Sequence, residues 1–253
     1  MKQQKCLLNT RPLDQGLALN QSIEILGWRA VHWPALIIEP KPSTWLNTMP
    51  DLALIHTAIF ISPNAVHFYF KTLAQNKILW PDKIQSFALG PASSKALSEY
   101  NVASTCIPML ADSEHLLRLE SLINVSNRGI MIVKGEGGRD LIERTLLSRK
   151  AKIYNVDVYV RTAPRALSDE LIDLWQKDAI DLILFTSQQS MQNLWFLLGK
   201  TAKEWMRHTP CLVISPRLAK IASTYGIQCI IQTTWPNMLN SIKEFSNDSR
   251  QCS

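Results

Sequence analysis

The sequence predicts an α/β protein of two similar, open, parallel-sheet domains within its 253 residues. Three observations predict it. Short apolar runs alternate with helical patterns along the whole chain, the chain repeats itself at about half its length, and serine or glycine followed by proline recurs where a run gives way to a helix.

The runs Cys6–Asn9, Ala58–Ile61, Ser86–Leu89, Ile130–Val133, Leu182–Phe185 and Cys211–Ile214 have the length and apolar content of strands buried on both faces. A helical spacing follows each, such as Leu17, Ile23 and Leu26, or Leu141, Leu146 and Leu147. Strands that alternate with helices are joined in parallel, because the helix carries the chain back to the starting edge of the sheet.

The repeat comes from two alignments. LLNTRPLDQGLAL from Leu7 matches IMIVKGEGGRDLI from Ile130 at an offset of 123, placing Arg11 on Lys134, Ile23 on Leu146 and Arg29 on Lys152. FISPNAVHF from Phe60 matches FTSQQSMQN from Phe185 at an offset of 125, which also carries Pro91, Lys95, Ser98 and Tyr100 onto Pro216, Lys220, Ser223 and Tyr225. Two segments at nearly one offset indicate a duplicated unit. A tandem repeat alone places the boundary near Asn124–Gly129.

Composition narrows the function. Apolar residues make up 46% and charged residues 19%, an ordinary globular balance that excludes a disordered or collagen-like chain. The longest apolar stretch, Leu52–Ile61, is interrupted by His56 and Thr57, too short for a membrane span. The opening MKQQKCLLNTRPLDQ has no long apolar core of a secretory signal, so a cytoplasmic location is expected. Five cysteines with no closer spacing than 18 residues, and five histidines without HxH or HExxH spacing, suggest neither a disulfide framework nor a metal site. The net charge of +6 contains no Lys/Arg run, which suits an anionic small molecule at least as well as nucleic acid. The eight tryptophans show no periodicity of a base-stacking platform and read as core and rim.

The junctions Ser62-Pro63, Gly90-Pro91 and Ser215-Pro216 each offer a cap residue with proline at the first helical position. Such a start turns backbone N–H groups and the positive end of the helix toward the sheet edge, where they receive carboxylate or phosphate oxygens. Plain capping explains one junction; three of them, with Arg11, Lys134 and Arg139 at equivalent ends, also fit an anion-lined cleft. Lys134-Gly135-Glu136-Gly137-Gly138-Arg139 is neither a dinucleotide fingerprint, since Asp140 stands where glycine is required, nor a P-loop, since GK[ST] is absent. Its glycines permit close backbone approach to a ligand, and Arg139 is placed to meet a carboxylate. In Asn155–Arg161, alternation sets Val156, Val158 and Val160 on one face and Asp157, Tyr159 and Arg161 on the other, where Tyr159 reads as a half-buried phenol, structural or proton-donating.

From Leu7 to about Trp235, the order and spacing of LLNTRP, WPALIIEP, FISPNAVHF, ALGPASSKAL, VKGEGGRDLIERTL and VDVYVRTAP resemble the uroporphyrinogen-III synthase family. These are the cyclising enzymes of tetrapyrrole (haem) biosynthesis. The family often carries G-P-T-T before the last repeat's helix, where this chain has Ser215-Pro216-Arg217-Leu218, so backbone amides remain the contribution of that loop.

The resemblance implies flavodoxin-like domains joined by a two-stranded antiparallel linker. One domain would span about 1–36 and 165–253, the other 41–158, with linker strands near 35–40 and 156–164. It implies conversion of hydroxymethylbilane to uroporphyrinogen III with loss of water and inversion of ring D, without cofactor or metal. Tyr159 takes the catalytic place. Arg11, Ser62, Pro63, Gly90, Ser93, Lys134, Gly135, Arg139, Ser187 and Ser215 are the candidate substrate-binding residues. A monomer is expected, with no nucleic-acid or membrane partner and with substrate handed over from hydroxymethylbilane synthase. The alternative is a non-catalytic two-domain binder of a tetrapyrrole or another small polyanion.

Overall fold

A computed structural model describes residues 4–106, 108 and 110–247. Its strands in chain order are β1 (Cys6–Asn9), β2 (Arg29–His32), β3 (Ile37–Pro40), β4 (Thr57–Phe60), β5 (Gln85–Ala88), β6 (Ser104–Cys106), β7 (Gly129–Gly135), β8 (Lys152–Thr162), β9 (Leu182–Phe185), β10 (Cys211–Val213) and β11 (Ile230–Gln232). The α-helices are α1 (Leu13–Ile25), α2 (Pro63–Gln75), α3 (Pro91–Ser98), α4 (Ser113–Leu116), α5 (Leu141–Ser148), α6 (Asp169–Gln176), α7 (Gln188–Leu197), α8 (Lys200–His208), α9 (Pro216–Thr224) and α10 (Met238–Asn247). The chain forms two compact units, leaving the first between Ile37 and Ile38 and returning to it between Arg161 and Thr162.

The first unit holds a sheet of order β11-β10-β9-β1-β2, with β1 parallel to both β2 and β9, and β10 parallel to β9 and β11. Counted along the unit, this is the doubly wound order 2-1-3-4-5. The sheet of the second unit runs β3-β8-β7-β4-β5-β6, with parallel pairing from β8 through β6. Five of its strands repeat the same order if counting starts at β7. The sequence repeat explains the permutation. Its first alignment matches β1-α1-β2 to β7-α5-β8, and its second matches β4-α2-β5-α3 to β9-α7-β10-α9. Each sheet therefore combines the opening strand pair of one repeat with the later strands of the other.

Alternating side chains explain why the strands read as continuous apolar runs. In the first sheet, Leu8, Ile183, Phe185 and Val213 pack beneath α6, α7, α8 and α9, while Leu7, Leu182, Leu184 and Leu212 meet α1, Trp28 and α10 on the other face. In the second sheet, Phe60, Ala88, Met131 and Val133 pack against α2 and α3, while Ile59, Phe87, Ile130 and Ile132 meet α4 and α5. Each fully buried Leu, Ile or Phe contributes about 1.5–3 kcal/mol of transfer free energy, so both faces must be covered at once. Around Phe60 the core is aromatic, with Phe70 stacked at 5.6 Å and Tyr69 edge-on at 5.8 Å. The tryptophans divide as core and rim, from Trp28 at 2% exposure to Trp235 at 47%.

The proline junctions start helices. Ser62 caps α2 by accepting from the Ala65 N–H at 3.1 Å, and Ser215 caps α9 by accepting from Leu218 at 3.3 Å. Ser187 caps α7 in the same way, accepting from Ser190 at 3.0 Å. Gly90 caps α3 with extended backbone and no side-chain bond. The Gly-rich segment does not open α5 directly: Gly137 and Gly138, both at positive φ, turn the chain first, and the helix begins at Leu141. Cys6 and Cys211 are buried free thiols, their pKa values pushed up by burial to about 11 and about 12; Cys252 lies outside the described residues. Replacing Ser187 or Ser215 with Ala is expected to cost about 1 kcal/mol each, read as a lower urea midpoint with an unchanged slope.

Candidate functional site

In open α/β sheets, ligands bind beyond the carboxyl ends of the strands, where the strand order reverses. In the second unit that reversal lies between β7 and β4. Their register sets Phe60 against Val133, and the Ile61 N–H donates to the Val133 carbonyl at 3.1 Å. Ser62 therefore stands beside Gly135.

The neighbouring strand completes the arrangement. β8 follows β7 residue for residue up to Asp157 opposite Lys134, then slips by one residue, so that Tyr159 faces Gly135. This register shift overturns the alternation expected from sequence. Tyr159 does not lie across the sheet from Val156 and Val158 but joins their hydrophobic cluster, with Phe68 at 5.9 Å. Nor is the phenol half-buried: Tyr159 is 1% exposed. A one-residue slip exchanges the two faces of a strand, which alternation cannot foresee.

The Tyr159 hydroxyl sits 3.1 Å from Ser62 Oγ and accepts from Arg161 Nη2 at 2.9 Å. Its ring lies where a Gly135 side chain would be, so a β-carbon on residue 135 would collide with it. Beside this trio is a cavity of about 210 Å³ lined by Lys134, Gly135, Gly137, Gly138, Arg139 and Arg161, with Asn155 and Glu143 on its wall. Of the sequence candidates, Lys134, Gly135 and Arg139 thus meet in one cavity, and Ser62 reaches its edge through Tyr159 and the lining residue Ile61. Pro63 fixes the first turn of α2 and has no N–H to offer. Gly90 and Ser93 stand one strand farther out, at β5 and α3, with Ser93 buried.

Asp157 shares the end of β7 and β8. Its Oδ1 is buried without a hydrogen-bond partner, and Lys134 Nζ, at 4.0 Å, is too distant to donate. Burial raises the Asp157 pKa above the ordinary carboxylate value, and the Lys134 and Lys41 charges only partly offset that.

In the first unit, Arg11, Ser187 and Ser215 follow β1, β9 and β10, adjacent strands of one sheet. The Arg11 guanidinium lies over the Trp235 ring at 4.2 Å and donates to Gln15 Oε1. Arg217 donates to Gln188 at 2.9 Å, tying the starts of α9 and α7. Two residues here escaped the sequence reading. Asn9 and Thr10 are fully buried at the β1–β9 reversal; Thr10 donates to the Leu184 carbonyl at 2.6 Å, and Asn9 donates to Asn20 at 2.7 Å and accepts from the Arg11 N–H at 3.2 Å. Polar residues directly after an apolar run were the available signal.

Two doubly wound units, with capped helices at the carboxyl edges of their strands and, in the second, a buried tyrosine near a cavity lined by Lys134, Arg139, Arg161 and Glu143, define a two-unit α/β protein. The family model described as "Uroporphyrinogen-III synthase HemD" matches residues 18–240. A uroporphyrinogen-III synthase of Escherichia coli is 33% identical over 230 residues, covering 88% of this chain and 93% of the relative. One from Salmonella typhimurium is 31% identical with the same coverage. Among solved structures, a mutant uroporphyrinogen III synthase from the extremely thermophilic bacterium Thermus thermophilus superposes with a TM-score of 0.64 at 14% identity, covering 96% of this chain and 97% of that one. The Helicobacter pylori enzyme gives 0.61 at 14% identity, covering 97% and 100%, so both share the fold. The chain belongs to the uroporphyrinogen-III synthase family.

Gly135→Ala is expected to push Tyr159 from its seat and lower stability by about 1–3 kcal/mol, measured by urea unfolding. Asp157 predicts a pH effect. Its folded-state pKa lies above its unfolded value, so between the two the native state binds more protons and stability falls as pH rises. Asp157→Asn should remove that part of the slope, and an unchanged stability–pH profile would contradict the assignment.

Proposed function

We propose that this chain is a uroporphyrinogen-III synthase, converting hydroxymethylbilane to uroporphyrinogen III with loss of water. Family membership supports the reaction, and the single structural observation that supports its location is the Tyr159–Ser62–Arg161 trio seated on Gly135 at the edge of the cationic cavity.

The substrate is a linear tetrapyrrole with many carboxylates. On each unit, helix starts and cations suit those groups: the first-turn amides behind Ser62, Gly90, Ser187 and Ser215, and the side chains of Arg11, Lys134 and Arg139. Each serine hydroxyl already accepts one bond from its own helix and keeps a second lone pair and an O–H proton. Ser93 is buried in the first turn of α3, Pro63 holds that of α2, and Gly135 leaves room for the phenol.

In the reaction, the carbon–oxygen bond of the ring-A hydroxymethyl group breaks and the protonated hydroxyl leaves as water, giving an azafulvene cation. Ring D attacks through its substituted carbon to form a spiro intermediate, which fragments and recloses with ring D inverted. The substrate also closes without the enzyme to the uninverted isomer, so the protein chiefly imposes geometry. The Tyr159–Ser62 pair supplies a hydrogen bond to the departing hydroxyl, directly or through water. The same reading takes the protein as a cytoplasmic monomer that receives substrate from hydroxymethylbilane synthase. Among the described residues no helix is long and apolar enough to cross a membrane.

The test is a coupled assay in which porphobilinogen and a hydroxymethylbilane-forming enzyme supply substrate and the oxidised products are separated into isomers I and III. A protein-dependent shift to isomer III is expected; isomer I alone from folded protein would move the function to a non-catalytic binder. In the same assay Tyr159→Phe should lower turnover by about tenfold while leaving the unfolding midpoint nearly unchanged, since the aromatic body stays.

A further inference from the structure

The geometry points to Ser62, not Tyr159, as the residue whose hydroxyl touches the departing oxygen, with Tyr159 and Arg161 as positioning residues behind it. This rests on the synthase reading above and assigns the roles within its hydrogen-bonded trio.

The assignment follows from counting donors and acceptors. Arg161 is donor-only, so in its 2.9 Å bond the Tyr159 oxygen must accept. Tyr159 is 1% exposed, and a buried hydroxyl proton needs an acceptor. Ser62 Oγ, at 3.1 Å, is the acceptor the structure provides. The phenol therefore donates to Ser62, although distance alone leaves that direction open. Ser62 Oγ also accepts from the Ala65 N–H at 3.1 Å. With both lone pairs engaged, its own O–H is the group left to give away. Ser62 is partly exposed where Tyr159 is not, and it stands at the carboxyl end of β4 beside Gly135.

The chain runs from Arg161 through Tyr159 to Ser62 and outward. As the ring-A carbon–oxygen bond breaks, the Ser62 proton passes to the departing oxygen, which leaves as water, and the Tyr159 proton passes to Ser62. The phenolate so formed lies against the Arg161 guanidinium. It is reprotonated by the proton that ring D releases on regaining aromaticity after closure, so no external acid is consumed. Tyr159 thus acts on the substrate through serine, and Arg161 fixes the direction of the chain.

The experiment compares Ser62→Gly, Ser62→Thr, Tyr159→Phe and the Ser62→Gly/Tyr159→Phe double variant in the isomer III assay, with unfolding curves for each. Glycine is nearly as good a helix cap as serine, so Ser62→Gly removes the hydroxyl while sparing α2. If Ser62 is the terminal donor, Ser62→Gly lowers kcat by about a hundredfold with KM within about twofold. Tyr159→Phe loses only about tenfold, and the double variant equals Ser62→Gly because the tyrosine has nothing left to act through. Ser62→Thr restores most of the rate. The inference is overturned if Tyr159→Phe loses more than Ser62→Gly, or if the two losses multiply. If Ser62→Gly does not fold, the assignment is decided by Ser62→Thr against Tyr159→Phe: a folded threonine variant as slow as Tyr159→Phe or slower overturns it, and one close to wild type supports it. A wild-type protein that makes no isomer III would sink the synthase reading itself, before any variant is compared.

Discussion

Everything in this fold depends on two strand pairings that join distant parts of the chain, β1 with β9 and β7 with β4. A parallel sheet is stable only when both faces are covered, and neither repeat alone supplies the strands and helices to do this in order. Exchange of the opening strand pair between repeats solves the problem twice. It also fixes the functional geography, because the exchanged strand becomes the neighbour at which strand order reverses. Asn9 at the end of β1 with Thr10 just beyond it, and Lys134 and Gly135 on β7, stand at these reversals for the same topological reason.

At the second reversal the detail is set by one irregular register. Without the slip after Lys134, Val158 would face Gly135, and Tyr159 would lie on the opposite face of the sheet. The slip brings the phenol to Ser62 and Arg161, and the missing side chain of Gly135 leaves it room. The cost falls on Asp157, the last residue in regular register, whose buried oxygen finds no donor. A polar site has been assembled at the edge of a hydrophobic core, with one carboxylate left poorly solvated beside it.

The sequence made the interior strands legible because residues buried on both faces are apolar without interruption. Cys6–Asn9 and Leu182–Phe185 were bounded as the structure has them. Edge strands were not legible: β2, with Arg29 exposed and His32 half-buried, and β11, ending in exposed Gln232, have too little apolar content to stand out. The caps were readable because Ser-Pro and Gly-Pro encode a local conformation. Tyr159 was found as a residue but misplaced in orientation, since a register slip depends on the partner strand. Asn9 and Thr10 were missed because their partners, Asn20 and the Leu184 carbonyl, become neighbours only through tertiary structure.

The pairing of Leu7 with Leu182 also bears on how the protein is made. The second unit is encoded in one continuous stretch, so its sheet closes once β8 has left the ribosome. The first unit begins earlier and finishes later: β1 and β2 emerge first, then wait for β9 while the whole of the other unit is translated. At about 5–20 residues per second, that wait lasts roughly ten to thirty seconds. During it Leu7 and Leu8, buried on opposite faces in the finished protein, have no sheet to enter. The nascent chain thus carries an uncovered apolar strand until β9 emerges, and chaperones that shield such segments have their longest opportunity at β1.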